Sequence, residues 1–132
     1  MSSDCGCSGS SCCSGDGTVI YSCSGQSNLG QVANEVALRL REEGVGTMAC
    51  LVGVASGVEG MVVGARDASK RILIDGCPVK CGLKAFEKAG LKPDAYFVVS
   101  ELGLKKSSAR PAEEDINKVL LYAKGMVGGK LK

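Results

Sequence analysis

Short apolar runs alternate with stretches of helical periodicity along most of this chain. Between and after the runs, apolar residues recur three and four positions apart, which predicts amphipathic helices. Alternation of strands with helices is typical of βαβ units and of a parallel sheet. The pattern predicts a three-layer α/β fold with roughly four parallel strands, helices on both faces and a Rossmann or flavodoxin-like strand order. The predicted strands, rich in β-branched and aromatic residues, lie at 18–23, 45–50, 71–75 and 96–99.

The helix boundaries follow from residues that start and stop helices. Gly44 and Gly90 each follow an amphipathic stretch and end it. Pro78 suits the first turn of a helix, because its missing N–H has no partner there. With these boundaries, the spacing of apolar residues predicts helices at about 29–43, 58–65, 78–89 and 111–123.

The first 17 residues differ sharply from the rest. They are almost entirely Ser, Gly, Cys and Asp, and such a segment has little apolar surface to bury. The chain of 132 residues is otherwise the size of one domain. We therefore expect a flexible cysteine-rich tail over 1–17 and a single α/β metal-binding domain over 18–132.

Charge and hydropathy exclude several classes of partner. Sixteen basic and fourteen acidic residues leave a formal charge of +2, which offers no basic field for nucleic acid. No apolar run reaches the roughly 18 residues that a membrane span needs, and the N-terminus lacks the apolar core of a signal peptide. We expect a cytoplasmic protein with neither nucleic-acid nor membrane partners.

The chain contains eight cysteines and no histidine. The absence of histidine removes the usual general base and the commonest metal-binding nitrogen. We therefore assign no catalytic residue and leave open whether the protein is an enzyme. Eight cysteines without a secretion signal favour metal binding or thiol chemistry over a disulfide scaffold.

Four of the cysteines follow predicted strands. Cys23 and Cys50 end the first two strands, and Cys77 follows the third within two residues. Cys81 is expected one turn into the next helix, on the same face as Cys77. Because the carboxyl ends of parallel strands share one edge of a sheet, these four thiols are expected to converge there. Zinc and iron–sulfur clusters favour thiolates, and four of them satisfy a tetrahedral zinc site.

Two of the nearby residues have simpler alternative roles. Cys50 can fill space in the core, as free cysteines often do, and three thiolates would then leave an open coordination position. Asp75 could be an oxygen ligand or a general base, or, more simply, it caps the following helix or shapes the turn. The pair Lys105–Lys106 is typical of a solvated surface.

The loop that begins at Cys23 is similar to the phosphate-binding cysteine loop of low-molecular-weight phosphatases and arsenate reductases. Those families carry an arginine six positions after the cysteine, and this chain has Leu29 there. Without that residue the loop lacks its charge-assisted clamp on an oxyanion. We therefore expect Ser24, Ser27 and Asn28 to cap the first helix instead.

The segment Ile-Asp-Gly-Cys-Pro-Val-Lys-Cys at 74–81 resembles the central motif of the DGC-domain family, described as zinc-binding. The similarity extends over about 18–106 and includes Cys-Ser-Gly at 23–25, Cys-Leu-Val-Gly-Val at 50–54 and Val-Val-Ser-Glu-Leu-Gly at 98–103. The resemblance implies a metal site but no reaction. Its implied zinc ligands are Cys23, Cys50, Cys77 and Cys81.

Two kinds of function stay open from sequence. The first is a zinc-binding protein with the four-cysteine site at the carboxyl edge of the sheet. The second is a thiol redox or iron–sulfur protein, or one that traffics or senses metal with the cysteines of its tail. These tail cysteines form a C-x-C-x₄-C-C pattern outside the region of resemblance: Cys5, Cys7, Cys12 and Cys13.

Overall fold

The computed structural model describes residues 17–127, so the predicted tail and its four cysteines lie outside it, except for Gly17. Within this range, no helix is both long and apolar enough to cross a membrane. The described residues form four strands, β1 (Thr18–Ser22), β2 (Thr47–Met48), β3 (Lys70–Asp75) and β4 (Ala95–Val98). The helices are α1 (Asn28–Glu42), α2 (Leu51–Ala55), α3 (Glu59–Asp67), α4 (Cys81–Lys88) and α5 (Glu113–Val127), with a 3₁₀ turn at Val99–Leu102.

The four strands form one parallel sheet in the order β2–β1–β3–β4. This is the flavodoxin-like order, so the predicted strand order is confirmed. From β1 the chain continues to β2, which pairs with one edge of β1. It then crosses back, so that β3 pairs with the opposite edge of β1. The gap between the ends of β1 and β3 is therefore the topological switch point, where open α/β sheets bind ligands.

Helices cover both faces of the sheet, as the alternating side chains of the strands require. Ile20, Ile72 and Ile74 face α1 and α5 in one buried cluster. Tyr21 and Leu73 point to the opposite face, where α2, α3 and α4 pack. The predicted three-layer architecture is thus confirmed.

Two predicted elements differ in the structure. The second strand is only Thr47–Met48, because Cys50 begins an additional short helix, α2, by accepting the N–H of Gly53 on its sulfur at 3.2 Å. The predicted helix at 78–89 begins three residues later, at Cys81. Lys80 interrupts it with left-handed backbone angles (φ 57°, ψ 47°). The expectation that Cys77 and Cys81 share a helical face is therefore wrong.

Glycines allow very close packing at the switch point. A Cβ atom on Gly76 would lie 2.7 Å from the backbone nitrogen of Gly30 and 2.8 Å from the carbonyl carbon of Leu29. A Cβ on Gly30 would in turn lie 2.7 Å from the nitrogen of Gly25. Because the opposing atoms are backbone, no side-chain rotation can relieve such contacts. The loops after β1 and β3 consequently lie side by side against the first turn of α1.

We expect Gly76→Ala to lower the free energy of unfolding by about 1–3 kcal/mol, because the added methyl overpacks the backbone. Gly60→Ala in α3 is the matched control, since a Cβ there meets nothing within 4 Å. The control should be neutral or gain up to about 1 kcal/mol, as helical glycines do on replacement by alanine. Urea unfolding of both variants measures the difference, and equal stabilities would contradict the close approach.

Candidate functional site

Cys23 and Cys77 lie at the switch point. The N–H of Cys23 donates to the carbonyl oxygen of Ile74 at 2.9 Å, which ties the loop after β1 to the end of β3. Both cysteines are half-buried, and both contact the core cluster shared by α1 and α5. Their thiols therefore belong to the same face of the sheet.

Cys50 and Cys81 are exposed, and each stands at the start of a helix. Cys50 caps α2, and Cys81 is the first residue of α4. These two helices contact each other and pack on the opposite face of the sheet through Val54 and Phe86. The four cysteines therefore lie near the carboxyl edge, two on each side of the sheet.

The donor chemistry of these cysteines fits zinc, but the fold does not gather them in advance. All four are free thiols. Among residues 17–127, no three Cys, Asp or Glu side chains form a group that can hold a metal ion. Chelation by all four cysteines stays a prediction. The alternative that Cys50 fills the core is wrong, because its side chain is exposed and caps α2.

Asp75 is a buried polar residue at the carboxyl end of β3, with 1% of its surface exposed. Its carboxylate accepts hydrogen bonds from the N–H of Gly82 at 2.8 Å, the N–H of Leu83 at 3.0 Å and the hydroxyl of Tyr96 at 2.9 Å. Of its predicted roles, capping of the following helix is the one that the structure shows. The contacts fix the first turn of α4 and therefore the position of Cys81.

The phenol of Tyr96 stays protonated in this network. Burial raises the pKa of Tyr96, and the hydrogen bond and negative charge of Asp75 raise it further. Tyr96 consequently remains a hydrogen-bond donor to the carboxylate well above neutral pH.

The turn between Cys77 and Cys81 carries backbone strain. Lys80 is the one non-glycine residue with a positive φ in the described part of the chain, and its N–H donates to the carbonyl oxygen of Cys77 at 3.0 Å. Left-handed geometry costs a non-glycine residue about 1–2 kcal/mol. Strained residues of this kind concentrate in functional loops, where the surrounding structure holds them.

Lys106 is a residue that sequence reasoning missed. Its Nζ lies 3.6 Å from the Sγ of Cys77, so at least one lysine of the pair at 105–106 does more than face solvent. Asn28 holds this loop in place, because its side chain accepts the N–H of Ser107 at 2.7 Å and donates to the carbonyl oxygen of Lys105 at 2.9 Å. No local pattern signals contacts between residues so distant in sequence.

The residues expected to cap α1 are confirmed in part. The hydroxyl of Ser27 accepts the N–H of Gly30 at 3.2 Å, which confirms Ser27 as the cap. Asn28 is used instead to hold the loop at 105–107. Leu29, at the position of the phosphatase arginine, is fully buried in the core.

Replacing Tyr96 by Phe removes one of the three donors to Asp75. We expect the free energy of unfolding to fall by about 1.5–3 kcal/mol, the range for hydrogen bonds to charged groups. Tyr122→Phe is the matched control, because Tyr122 is 44% exposed and contacts Phe97 through its ring. Urea unfolding at pH 7 compares the two, and equal losses would contradict the role given to the Tyr96 hydroxyl.

The raised pKa of Tyr96 also predicts a pH dependence. Because the folded state holds the phenolic proton more tightly than the unfolded chain, this stabilisation is complete below the ordinary tyrosine pKa of about 10 and is lost as the pH rises beyond it. The wild-type protein should therefore lose more stability between pH 8 and pH 11 than Tyr96→Phe. Parallel pH profiles for the two proteins would contradict this assignment.

Comparison with known proteins identifies the family of this chain. The sequence-family model of the DGC domain matches residues 19–122, which include all four cysteines of the carboxyl edge. The anaerobic and virulence modulator AnvM of Pseudomonas aeruginosa is 33% identical over 115 residues, covering 85% of this chain and 88% of that protein. No solved structure matches the chain. The chain therefore belongs to the DGC domain family.

Proposed function

We propose that this protein binds a thiophilic metal ion, most simply zinc, through Cys23, Cys50, Cys77 and Cys81. The observation that carries the proposal is the position of these thiols, all unpaired and at least partly accessible, on loops near one edge of the sheet. Thiolates are preferred ligands of zinc. Because the chain has no histidine, its cysteines are the strongest zinc donors that it contains.

The separation of the thiols favours exchangeable over permanent binding. The loops of Cys23 and Cys77 already lie side by side, and Cys50 and Cys81 begin two helices that contact each other. Bringing the two pairs onto one ion requires the loops to rearrange, and this rearrangement takes up part of the binding free energy. We infer that zinc in this site equilibrates with the surrounding zinc pool, as a sensing or transfer protein requires.

A regulatory role is consistent with the name of the relative. The Pseudomonas aeruginosa protein is named as an anaerobic and virulence modulator. The present chain offers no histidine as a general base. A protein whose surface changes when zinc binds fits these properties better than an enzyme does.

Loss of a single ligand tests the metal proposal. Cys77→Ser should weaken zinc binding about tenfold or more, because even changes next to metal ligands cost 10–100-fold in affinity. Competition with a chromophoric chelator under reducing conditions measures the affinity. Cys12→Ser is the matched control, since Cys12 lies outside the family match, and it should bind like the wild type. Unchanged affinity in Cys77→Ser would remove that residue from the site.

Peroxide sensing is a second candidate function, favoured by the contact between Lys106 and Cys77. The ammonium group places a positive charge beside a nucleophilic sulfur. The sulfur would attack one oxygen of a peroxide, the O–O bond would break, and the displaced oxygen would leave with a proton as water or alcohol. Cys77 would then carry a sulfenic acid, which a second thiol converts to a disulfide with release of water.

Lys106→Met should slow the reaction of Cys77 with hydrogen peroxide about two- to fivefold, the factor that an exposed charge interaction below 1 kcal/mol provides. Lys105→Met is the matched control, because the structure uses the backbone of Lys105 rather than its ammonium group. Mass spectrometry of trapped sulfenic acid measures both rates in metal-free protein. Equal rates in the two variants would contradict a role for Lys106.

A further inference from the structure

A cleft of about 240 Å³ opens on the face of the sheet opposite α1 and α5. It lies between the strands β1 and β2 and the helix α3, and its walls are mainly apolar. Val19 and Met61 are among these walls, and Cys50 and Tyr21 also line the cleft. The cleft exceeds the roughly 150 Å³ that holds a benzene molecule, so one substituted ring fits it.

Tyr21 makes this cleft chemically specific. The residue is 2% exposed, and its ring contacts Phe86 edge to face at 5.2 Å between centroids. Its hydroxyl has no hydrogen-bond partner among residues 17–127, although nearly all buried polar groups in folded proteins are paired. Burial raises the pKa of Tyr21, so the group stays a proton donor. A buried donor that lacks an acceptor and lines a cleft indicates that the acceptor belongs to a ligand.

We propose that this cleft binds a small, largely apolar molecule with one carbonyl-type acceptor, which takes the hydrogen bond of Tyr21 and covers the thiol of Cys50. The apolar walls supply affinity by excluding water from the ring. The phenol supplies selectivity for molecules that carry the acceptor. The cleft shares Cys50 with the proposed zinc site. Its hydrogen-bonding phenol is not a proposed zinc ligand, so the inference can be tested on the metal-free chain whatever the outcome for zinc.

Two probes of equal size separate these contributions. Acetophenone and ethylbenzene differ chiefly in the carbonyl oxygen, so only acetophenone can accept from Tyr21. In NMR titrations of the metal-free chain, the ratio of acetophenone affinity to ethylbenzene affinity should be about three- to tenfold higher in the wild-type protein than in Tyr21→Phe, the factor of one neutral hydrogen bond. Comparing ratios cancels the different hydrophobicities of the two probes, and ethylbenzene should still bind to Tyr21→Phe. The variant should fold normally, because it removes a buried hydroxyl that has no partner.

Alkylation of the cysteines gives a second measure at named positions. Acetophenone should slow the reaction of Cys50 with iodoacetamide and leave Cys81 unaffected, since Cys81 is also exposed but lies outside the cleft. Gly64→Leu should abolish this protection by filling the cleft, because Gly64 lines it. Gly60→Leu in the same helix is the control, since a Cβ meets nothing within 4 Å at either glycine.

Three results would overturn the proposal. The same affinity ratio of the two probes in the wild-type protein and in Tyr21→Phe would show that Tyr21 contributes no selectivity. Equal protection of Cys50 and Cys81 would show general adsorption rather than binding in the cleft. Full protection of Cys50 in Gly64→Leu would place the probe elsewhere. Metal binding could fail its own test without affecting any of these outcomes.

Discussion

The buried carboxylate of Asp75 is the interaction on which the candidate site depends. A charge removed from water is costly unless it is fully hydrogen-bonded, and Asp75 takes two donors from α4 and one from β4. It thereby joins β3, β4 and the first turn of α4 at one point. On the other side of the same loop, Gly76 lies directly against the backbone of α1. The segment from Cys77 to Cys81 is consequently anchored at both ends, while its thiols remain accessible.

A backbone segment that is anchored at both ends and carries accessible thiols suits reversible reactions such as metal binding and thiol oxidation. Metal binding and oxidation would compete for the same atoms, because a thiolate bound to zinc has less electron density available for attack on a peroxide. Lys106 stands beside Cys77, whereas Cys50 caps a short helix and borders an apolar cleft. The cysteines therefore occupy different surroundings although the sheet brings them to one edge.

Periodicity and strand-end rules were sufficient to predict the layers and to offer the cap at Asp75 as one role, because each depends on local pattern. The flavodoxin-like strand order was expected from the fold class, although loop geometry rather than composition determines it. The left-handed turn at Lys80 could not be predicted, since Pro78 alone favours a helix starting there. The contact of Lys106 with Cys77 depends on Asn28, far away in sequence. The distribution of thiols between two faces required the register and the starts of α2 and α4, which composition does not determine.

Elemental analysis of anaerobically purified protein tests the central claim most directly. The full chain should be compared with a variant carrying Cys5→Ser, Cys7→Ser, Cys12→Ser and Cys13→Ser, which leaves only the cysteines of the folded domain. Binding by those cysteines predicts about one zinc ion per chain in both proteins. Zinc in the full chain alone would assign the metal to the tail. Iron in place of zinc, or no zinc in either protein after equilibration with zinc ions, would contradict the zinc site.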